Sequence, residues 1–235
     1  MRKIWIIITI LIIFTNPIVG QSDDSADFFI WSDFHTIYNF SDRCRYEGDY
    51  GYRAALNGDK TTLYVRPSFR YRVNPWFTVH GGIRFFQTSN EDAANTFEIG
   101  PWQGLLFLWP KIGGYTIGHY LRLDDRMIWQ TQGESDFDFT LRARYRLGVR
   151  SPNFDILFKN GTYLTGSIEA FADLESAISD TFVNRLRYFV GPGFNVSDAW
   201  RVETLYGLQQ DRSSRTAAFT ATEHILRLRF FYTFD

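Results

Sequence analysis

Apolar and polar residues alternate along nearly the whole chain, and the clearest example is FTLRARYRLGVR at residues 139–150. Every second position there is apolar, from Phe139 to Val149, and four of the positions between them are arginine. A period of two predicts a β-strand, because successive side chains in a strand point to opposite faces. The same alternation predicts eleven strand segments, at residues 28–40, 43–56, 61–73, 77–88, 95–109, 113–124, 136–150, 161–171, 181–194, 199–210 and 222–234.

Turn residues separate these segments, notably Asn57-Gly58, Asn74-Pro75 and residues 195–198. The hairpin at Asn74 keeps one apolar face only if a three-residue loop pairs Val73 with Phe77 and Tyr71 with Val79, since a slip of one residue inverts every side chain. Longer polar connections are expected at 87–95, 125–135 and 209–218, and residues 171–180 are predicted to form a loop with one helical turn.

The apolar stripes cover six or seven alternate positions in several segments. Sandwich strands usually have only about 5–6 residues, whereas a tilted strand needs about 9–11 residues to cross a bilayer. Backbone groups in hydrocarbon must be paired within the sheet, and closing the sheet leaves no edge. The pattern therefore predicts an all-β fold: a closed antiparallel transmembrane β-barrel of 10–12 strands with a polar, arginine-rich lumen. Bacterial barrels have even strand numbers, so we expect 12 rather than 10, with a further strand within residues 151–160.

The N-terminus has the three parts of a secretory signal peptide: a basic start, an apolar run over residues 4–14 and a small residue at Gly20. The run is shorter than the roughly 20 residues that a spanning helix needs, although an uncleaved anchor is the alternative. We predict a cleaved signal peptide at 1–20, a polar leader at 21–26 and a single β-barrel domain at 27–234, placed in the bacterial outer membrane.

The composition agrees with alternating apolar and polar positions. Aromatic residues make up 18% of the chain while the mean hydropathy is only −0.23, so many polar residues must lie between the rings. The net charge of −1 argues against a general nucleic-acid binder, and the single Cys44 excludes an internal disulfide. The four histidines are scattered, with His119 and His224 on the apolar face, so we expect no metal site and no cofactor. GPGF at 191–194 is expected to relieve crowding or to bend a strand rather than to form a phosphate loop, since no helix follows it.

The polar faces supply the candidate functional residues. Arginine forks bind carboxylates, and the arginines outnumber the acids, so we expect a positively biased interior. One interpretation is that the charges fill and stiffen the lumen, and the other is that a narrow channel favours anions. The set comprises Arg45, Arg66, Arg70, Arg84, Arg122, Arg142, Arg144, Arg146, Arg185, Arg187, Arg227, Arg229, Glu47, Asp124, Asp138, Glu169 and Glu203.

A membrane-embedded lipid or ester hydrolase is an alternative, and it needs a nucleophile, a base and an orienting group within hydrogen-bond reach. Folding the first hairpin about residues 41–43 puts His35 opposite Asp49, which makes these two the weak catalytic candidates. Ser32 lies on the other face, and Ser68 lies only diagonally from His80. A third alternative is a surface module that binds ligands through its long loops.

Five short motifs occur in a fixed order: a strand beginning near Trp31, PWQG at 101–104, LRARYRLG at 141–148, YLTGSIE at 163–169, and a closing Tyr232-x-Phe234. In this order, over residues 27–234, the chain resembles the family of exported bacterial outer-membrane β-barrel proteins filed as a domain of unknown function. The resemblance implies a Gram-negative outer-membrane barrel and brings no established activity or catalytic residues. The expected partners are outer-membrane lipids and, during insertion, the barrel assembly machinery; the protein is expected to be a monomer.

Overall fold

Eleven β-strands form a closed barrel in the computed structural model, which describes residues 26–132, 136–156, 161–174 and 181–234. Within these ranges no helix is long and apolar enough to cross a membrane. The predicted signal peptide at 1–20 lies outside the described residues, as does the leader up to residue 25. The strands are β1 (Asp27–Asn39), β2 (Cys44–Ala55), β3 (Lys60–Asn74), β4 (Phe77–Asn90), β5 (Thr96–Leu108), β6 (Thr116–Gln130), β7 (Phe137–Arg150), β8 (Thr162–Leu174), β9 (Phe182–Asn195), β10 (Trp200–Asp211) and β11 (Thr220–Phe234).

Each strand pairs antiparallel with its neighbours in sequence, and β1 closes the barrel against β11. The closed barrel is confirmed, but the expectation of twelve strands is wrong for the described residues. An odd number of up-and-down strands leaves the first and last pointing the same way, so the β1–β11 seam is parallel. Residues 151–156, where a twelfth strand was expected to begin, contribute only the isolated bridge between Phe154 and Thr162, and residues 157–160 lie outside the described ranges.

The connections fall at two ends. The turn end has short connections at 40–43, 75–76 and 196–199 and also the end of β11, whereas the loop end has the start of β1 and the connections at 56–59, 91–95 and 212–219. At the loop end the predicted Asn57-Gly58 turn is confirmed, and Gly58 has a φ of 90°, which favours glycine.

The hairpin at Asn74 has the predicted register in its body, where Tyr71 lies opposite Val79 and Arg70 opposite His80. The predicted pairing of Val73 with Phe77 is wrong, because a bulge shifts the register and pairs Asn74 with Phe77. The Asn74 Oδ1 accepts hydrogen bonds from the backbone N–H groups of residues 76 and 77 at 3.0 and 2.9 Å, which tightens the loop to two residues.

Two polar connections are shorter than predicted. Strand β6 continues to Gln130 through the expected loop at 125–135, because Arg126 faces the lumen and pairs with Glu98 on β5 at 2.8 Å. Strand β8 continues to Leu174 into the loop predicted at 171–180, and residues 175–180 lie outside the described ranges.

The predicted division into two faces is confirmed. Large apolar side chains cover the outer surface, where Phe69 is 54% and Phe139 is 56% exposed. The inner face carries the charged side chains and, unexpectedly, an apolar cluster on one wall, in which Trp31 contacts Phe189 with ring centroids 5.9 Å apart and Ile225 is fully buried. This cluster fills part of the lumen without any ion pair.

Candidate functional site

The lumen is crossed by a network of arginines and carboxylates whose deepest acids are Asp33, Asp124 and Glu169, each at most 2% exposed. Asp33 accepts hydrogen bonds from the Tyr64 hydroxyl and from the Arg227 Nε. A buried carboxylate is strongly destabilised unless cations and donors surround it, so these contacts hold three strands together.

The second buried acid, Asp124, belongs to a series of alternating positive and negative side chains on β4, β5 and β6. Arg84 lies between two carboxylates, with its Nη1 3.2 Å from Asp124 and its Nη2 2.8 Å from Glu98. Arg122 donates to Asp124 from its Nε at 2.6 Å. Arg126 closes the series with two hydrogen bonds to Glu98, at 3.3 and 2.8 Å.

The third buried acid, Glu169 on β8, lies 2.5 Å from the Arg144 Nη2 and 3.9 Å from the Arg187 Nη1. Arg187 also donates to Gln209 with its Nε at 3.0 Å. Arg187 therefore shares the Glu169 carboxylate with Arg144, and its hydrogen bonds go to the side-chain amide oxygen of Gln209.

Towards the turn end, Glu47 receives Arg45 at 2.5 Å and Arg70 at 2.8 Å. On β10, Glu203 accepts from the Tyr163 hydroxyl at 2.6 Å and from Arg229 at 2.8 Å. Each of these acids therefore ties neighbouring strands together from inside.

The predicted pair His35 and Asp49 is brought together, with the His35 Nδ1 3.5 Å from the Asp49 carboxylate. Arg66 also binds Asp49. Arg229 lies 3.2 Å from the His35 Nε2, and a guanidinium only donates, so this nitrogen must be the acceptor. Because its lone pair is already used and Phe231 stacks on the ring at 4.5 Å, His35 is placed as a packing residue rather than a free base.

Sequence reasoning gave too little weight to Ser68, which lies 3.0 Å from the His80 Nε2 and is 4% exposed. The Ser68 hydroxyl donates to the Glu47 backbone oxygen at 2.8 Å, so its oxygen must accept from the His80 Nε2–H. The Tyr120 hydroxyl, 2.9 Å from the His80 Nδ1, then donates to that nitrogen. The hydrogen bonds run from Tyr120 through His80 and Ser68 to a carbonyl, which is the wrong direction for an activated serine.

Of the remaining predicted charges, Arg142, Arg185 and Asp138 lie nearer the loop end, and Arg146 lies beside the turn-end cavity. Arg142 makes two hydrogen bonds to Asp173, at 2.6 and 3.2 Å, and Arg185 makes two to Asp211, at 2.7 and 3.1 Å. Asp138 has the parity of the lumen face, but it lies exposed at the start of β7 and joins no ion pair of the described residues, so its part in the lumen charge set stays a prediction.

Sequence reasoning also missed the acids Asp33, Asp173 and Asp211. The period-two alternation puts Asp33 on the same face as His35, and that signal could have revealed it. The two others lie near strand ends, where the alternation is least regular.

The lumen has a cavity near each end. The turn-end cavity has a volume of about 320 Å³ and is lined by nine arginines and two carboxylates, while the loop-end cavity has about 220 Å³. Four arginines line both cavities, and we call them the arginine layer: Arg66, Arg122, Arg144 and Arg227. These four guanidinium groups therefore border both cavities.

Two arginines that line the end cavities, Arg53 and Arg146, have no carboxylate partner among the described residues. Arg53, beside the loop-end cavity, lies over the Trp31 ring at 4.0 Å, and Arg146, beside the turn-end cavity, lies over the Tyr120 ring at 5.3 Å. In the described part of the chain, no group of three or more His, Cys, Asp or Glu side chains is placed to hold a metal ion.

Comparison with known proteins identifies the family. Residues 28–220 match the family model described as "Protein of unknown function (DUF2490)". The chain belongs to this family. No curated protein sequence matches the chain. The match confirms the resemblance to a family of unknown function and leaves the activity of this DUF2490 chain open.

Solved structures with a similar arrangement include the translocator domain of autotransporter NalP from Neisseria meningitidis. That domain has 14% identity and a TM-score of 0.44, over 73% of this chain and 70% of the other. An anion-selective porin from Comamonas acidovorans has 12% identity and a TM-score of 0.35, over 78% of this chain and 55% of the porin. These values are too low to assign a function to the DUF2490 chain.

Proposed function

We propose that this protein is an outer-membrane β-barrel, exported through a cleaved signal peptide, that provides a narrow passage with a preference for anions. The observation that carries the proposal is the excess of guanidinium groups around the larger of the two end cavities, which is lined by nine arginines and only two carboxylates. Fixed positive charge along a pore favours anions over cations.

Membrane placement is supported by the outer face. Exposed rings gather near the turn end, as at Trp76 and Trp200, and near the loop end, as at Phe137. On β6, His119 bonds Tyr145 at 2.8 Å near the turn end and Trp129 contacts Phe137 near the loop end. Ten residues rising ~3.3 Å each and tilted by ~40° span about 25 Å, the height of the apolar band of a transmembrane barrel. The proposed surroundings are outer-membrane lipids, and the protein is proposed to act as a monomer after insertion by the barrel assembly machinery.

Conductance in planar bilayers tests the passage. Purified protein in a KCl gradient is expected to give small current steps, and the sign of the reversal potential is expected to show that chloride permeates more readily than potassium. Arg53→Gln together with Arg146→Gln should shift that potential towards zero, and neither change leaves a buried carboxylate unpaired. The matched control neutralises two exposed cations, Arg43→Gln and Lys111→Gln, which should change selectivity much less.

The outcomes separate two interpretations of the lumen. Absence of current from folded protein would overturn the passage and favour a barrel whose charges only fill and stiffen its interior. Cation selectivity, or an equal shift in both double variants, would overturn the role of the lumen arginines.

A further inference from the structure

Arg146 occupies an unusual position in the ion-pair network. In the β7–β8 register it lies directly opposite Glu169, yet that carboxylate lies 2.5 Å from Arg144 instead. No hydrogen bond or ion pair of the described residues includes the Arg146 guanidinium, whose nearest ring is Tyr120. Arg146 therefore presents a charge to the cavity that the lumen acids leave uncompensated.

Arg146 also lies where two cavities meet. It lines the turn-end cavity of about 320 Å³ and an adjoining one of about 220 Å³, and Arg229 lines both as well. Buried Nε atoms of Arg144, Arg201 and Arg229 have no hydrogen-bond partner among the described residues, and all three side chains line the turn-end cavity. Several guanidinium N–H groups around one space are therefore unused.

The acids that line the turn-end cavity lie away from Arg146. The two acids of the cavity, Glu47 and Asp49, lie on β2, which is five strands from β7 in one direction around the barrel and six in the other. Both are already bound by arginines. On one side of Arg146 lies the neutral chain of Tyr120, His80 and Ser68, and on the other side lies Glu169, whose carboxylate is bound by Arg144. An anion in the turn-end cavity beside Arg146 would therefore meet several cations, and the carboxylates of Glu169, Glu47 and Asp49 are each already bound by an arginine.

We infer that the turn-end cavity binds a small, multiply charged oxyanion of the phosphate class, with Arg146 as its principal contact and Arg144, Arg201 and Arg229 around it. A phosphate has several acceptor oxygens and more than one negative charge, so it can use convergent guanidinium forks that a chloride ion cannot. The site deepens the proposed anion-preferring passage and rests on it for its biological role, but binding and conductance are measured separately and can fail independently.

The test is isothermal titration calorimetry of inorganic phosphate into the folded barrel in detergent, at low and fixed ionic strength. Wild type is expected to bind phosphate, sulfate more weakly, and chloride not measurably. Arg146→Gln should weaken phosphate binding about tenfold or more, since a charge-assisted hydrogen bond is lost. Arg142→Gln is the matched control: it removes the same charge from the same strand face four residues away, beside the loop-end cavity.

The control decides between a site and a general field. Equal weakening in Arg142→Gln and Arg146→Gln, or no weakening in Arg146→Gln, would overturn the assignment. Tighter binding of a dicarboxylate such as succinate than of phosphate would overturn the ligand class. If Arg146→Gln does not fold, Arg201→Gln tests the same cavity from β10 and should also weaken phosphate binding. Phosphate binding without conductance would contradict the passage alone.

Discussion

Arg227 donates a hydrogen bond to Asp33 across the seam where the last strand meets the first, 194 residues apart in sequence. Asp33 is fully buried, so Arg227→Gln leaves its carboxylate with one nearby hydroxyl and the Arg229 Nε at 3.9 Å. Breaking a buried ion pair costs on the order of 3–5 kcal/mol, and we expect a loss of that size in the free energy of unfolding.

Urea titration of the folded barrel in detergent measures this loss. Arg43→Gln, in the exposed β1–β2 turn, removes the same charge and should change stability by less than about 0.5 kcal/mol. Equal stability of the two variants would show that the seam does not depend on the Arg227–Asp33 pair.

Glycines on one strand make room for tyrosine rings from the next. A Cβ added at Gly193 would lie 2.2 Å from the ring of the fully buried Tyr163, and one added at Gly51 would lie 2.2 Å from the ring of Tyr64. This confirms the interpretation of GPGF as a stretch that relieves crowding. Gly193→Ala must displace a ring that donates to Glu203, so we expect a loss of about 1–3 kcal/mol.

Gly148→Ala is the matched control for that substitution. Its added Cβ would meet no atom closer than 4.0 Å, so we expect almost no loss. The temperature at which each variant loses its compact, heat-modifiable electrophoretic form measures the difference. A Gly148 variant as unstable as the Gly193 variant would show that the ring contact does not cause the effect.

The sequence predicts the fold well because alternate residues of each barrel strand face the outer surface and the lumen, and these two surfaces require apolar and polar side chains. All eleven segments found by alternation are strands, with ends that mostly differ by a few residues. The largest boundary error is at β6, where Arg126 looks like a loop residue until its partner Glu98 on β5 is known. The alternation itself contains the number of strands, and the expectation of twelve came from the even strand numbers of bacterial barrels. The parallel seam follows from the odd number only once the barrel is known to close between β1 and β11.

The site was predictable only where contacts are local. His35 and Asp49 lie on the two strands of one hairpin, so their pairing follows from the position of the turn and from the alternation that puts both side chains on the lumen face. The Asp33–Arg227 pair could be predicted only if the pairing of β1 with β11 were known. That Arg146 has no ion pair could be predicted only if it were known that Glu169 binds Arg144 instead. Alternation places a charge on a face; only the stagger of neighbouring strands decides which charges meet.

The proposed membrane placement predicts a strong depth dependence on the outer face. Leu121 is 46% exposed near the middle of β6, with Leu105 and Tyr145 on the strands beside it. Leu121→Arg should lower the free energy of unfolding in lipid vesicles by about 2–4 kcal/mol, because a charge at the midplane faces hydrocarbon.

Ile112→Arg is the control, since Ile112 is 58% exposed in the connection between β5 and β6, beyond the apolar band. There a charge should cost at most about 1 kcal/mol. Unfolding in guanidinium chloride, followed by tryptophan fluorescence, compares the two variants. Equal, small losses would contradict a lipid-facing surface at Leu121 and with it the membrane placement.

The direction of the hydrogen bonds at Ser68 predicts that this serine is not a nucleophile. Its proton goes to the Glu47 carbonyl and its oxygen accepts from His80, so attack on an ester would first require both bonds to break. A fluorophosphonate probe is therefore expected to leave the folded barrel unlabelled, and Ser68→Ala should behave like wild type in that assay. Labelling that disappears in Ser68→Ala would reverse the hydrogen-bond assignment and revive the hydrolase alternative, with His80 as its base in place of His35.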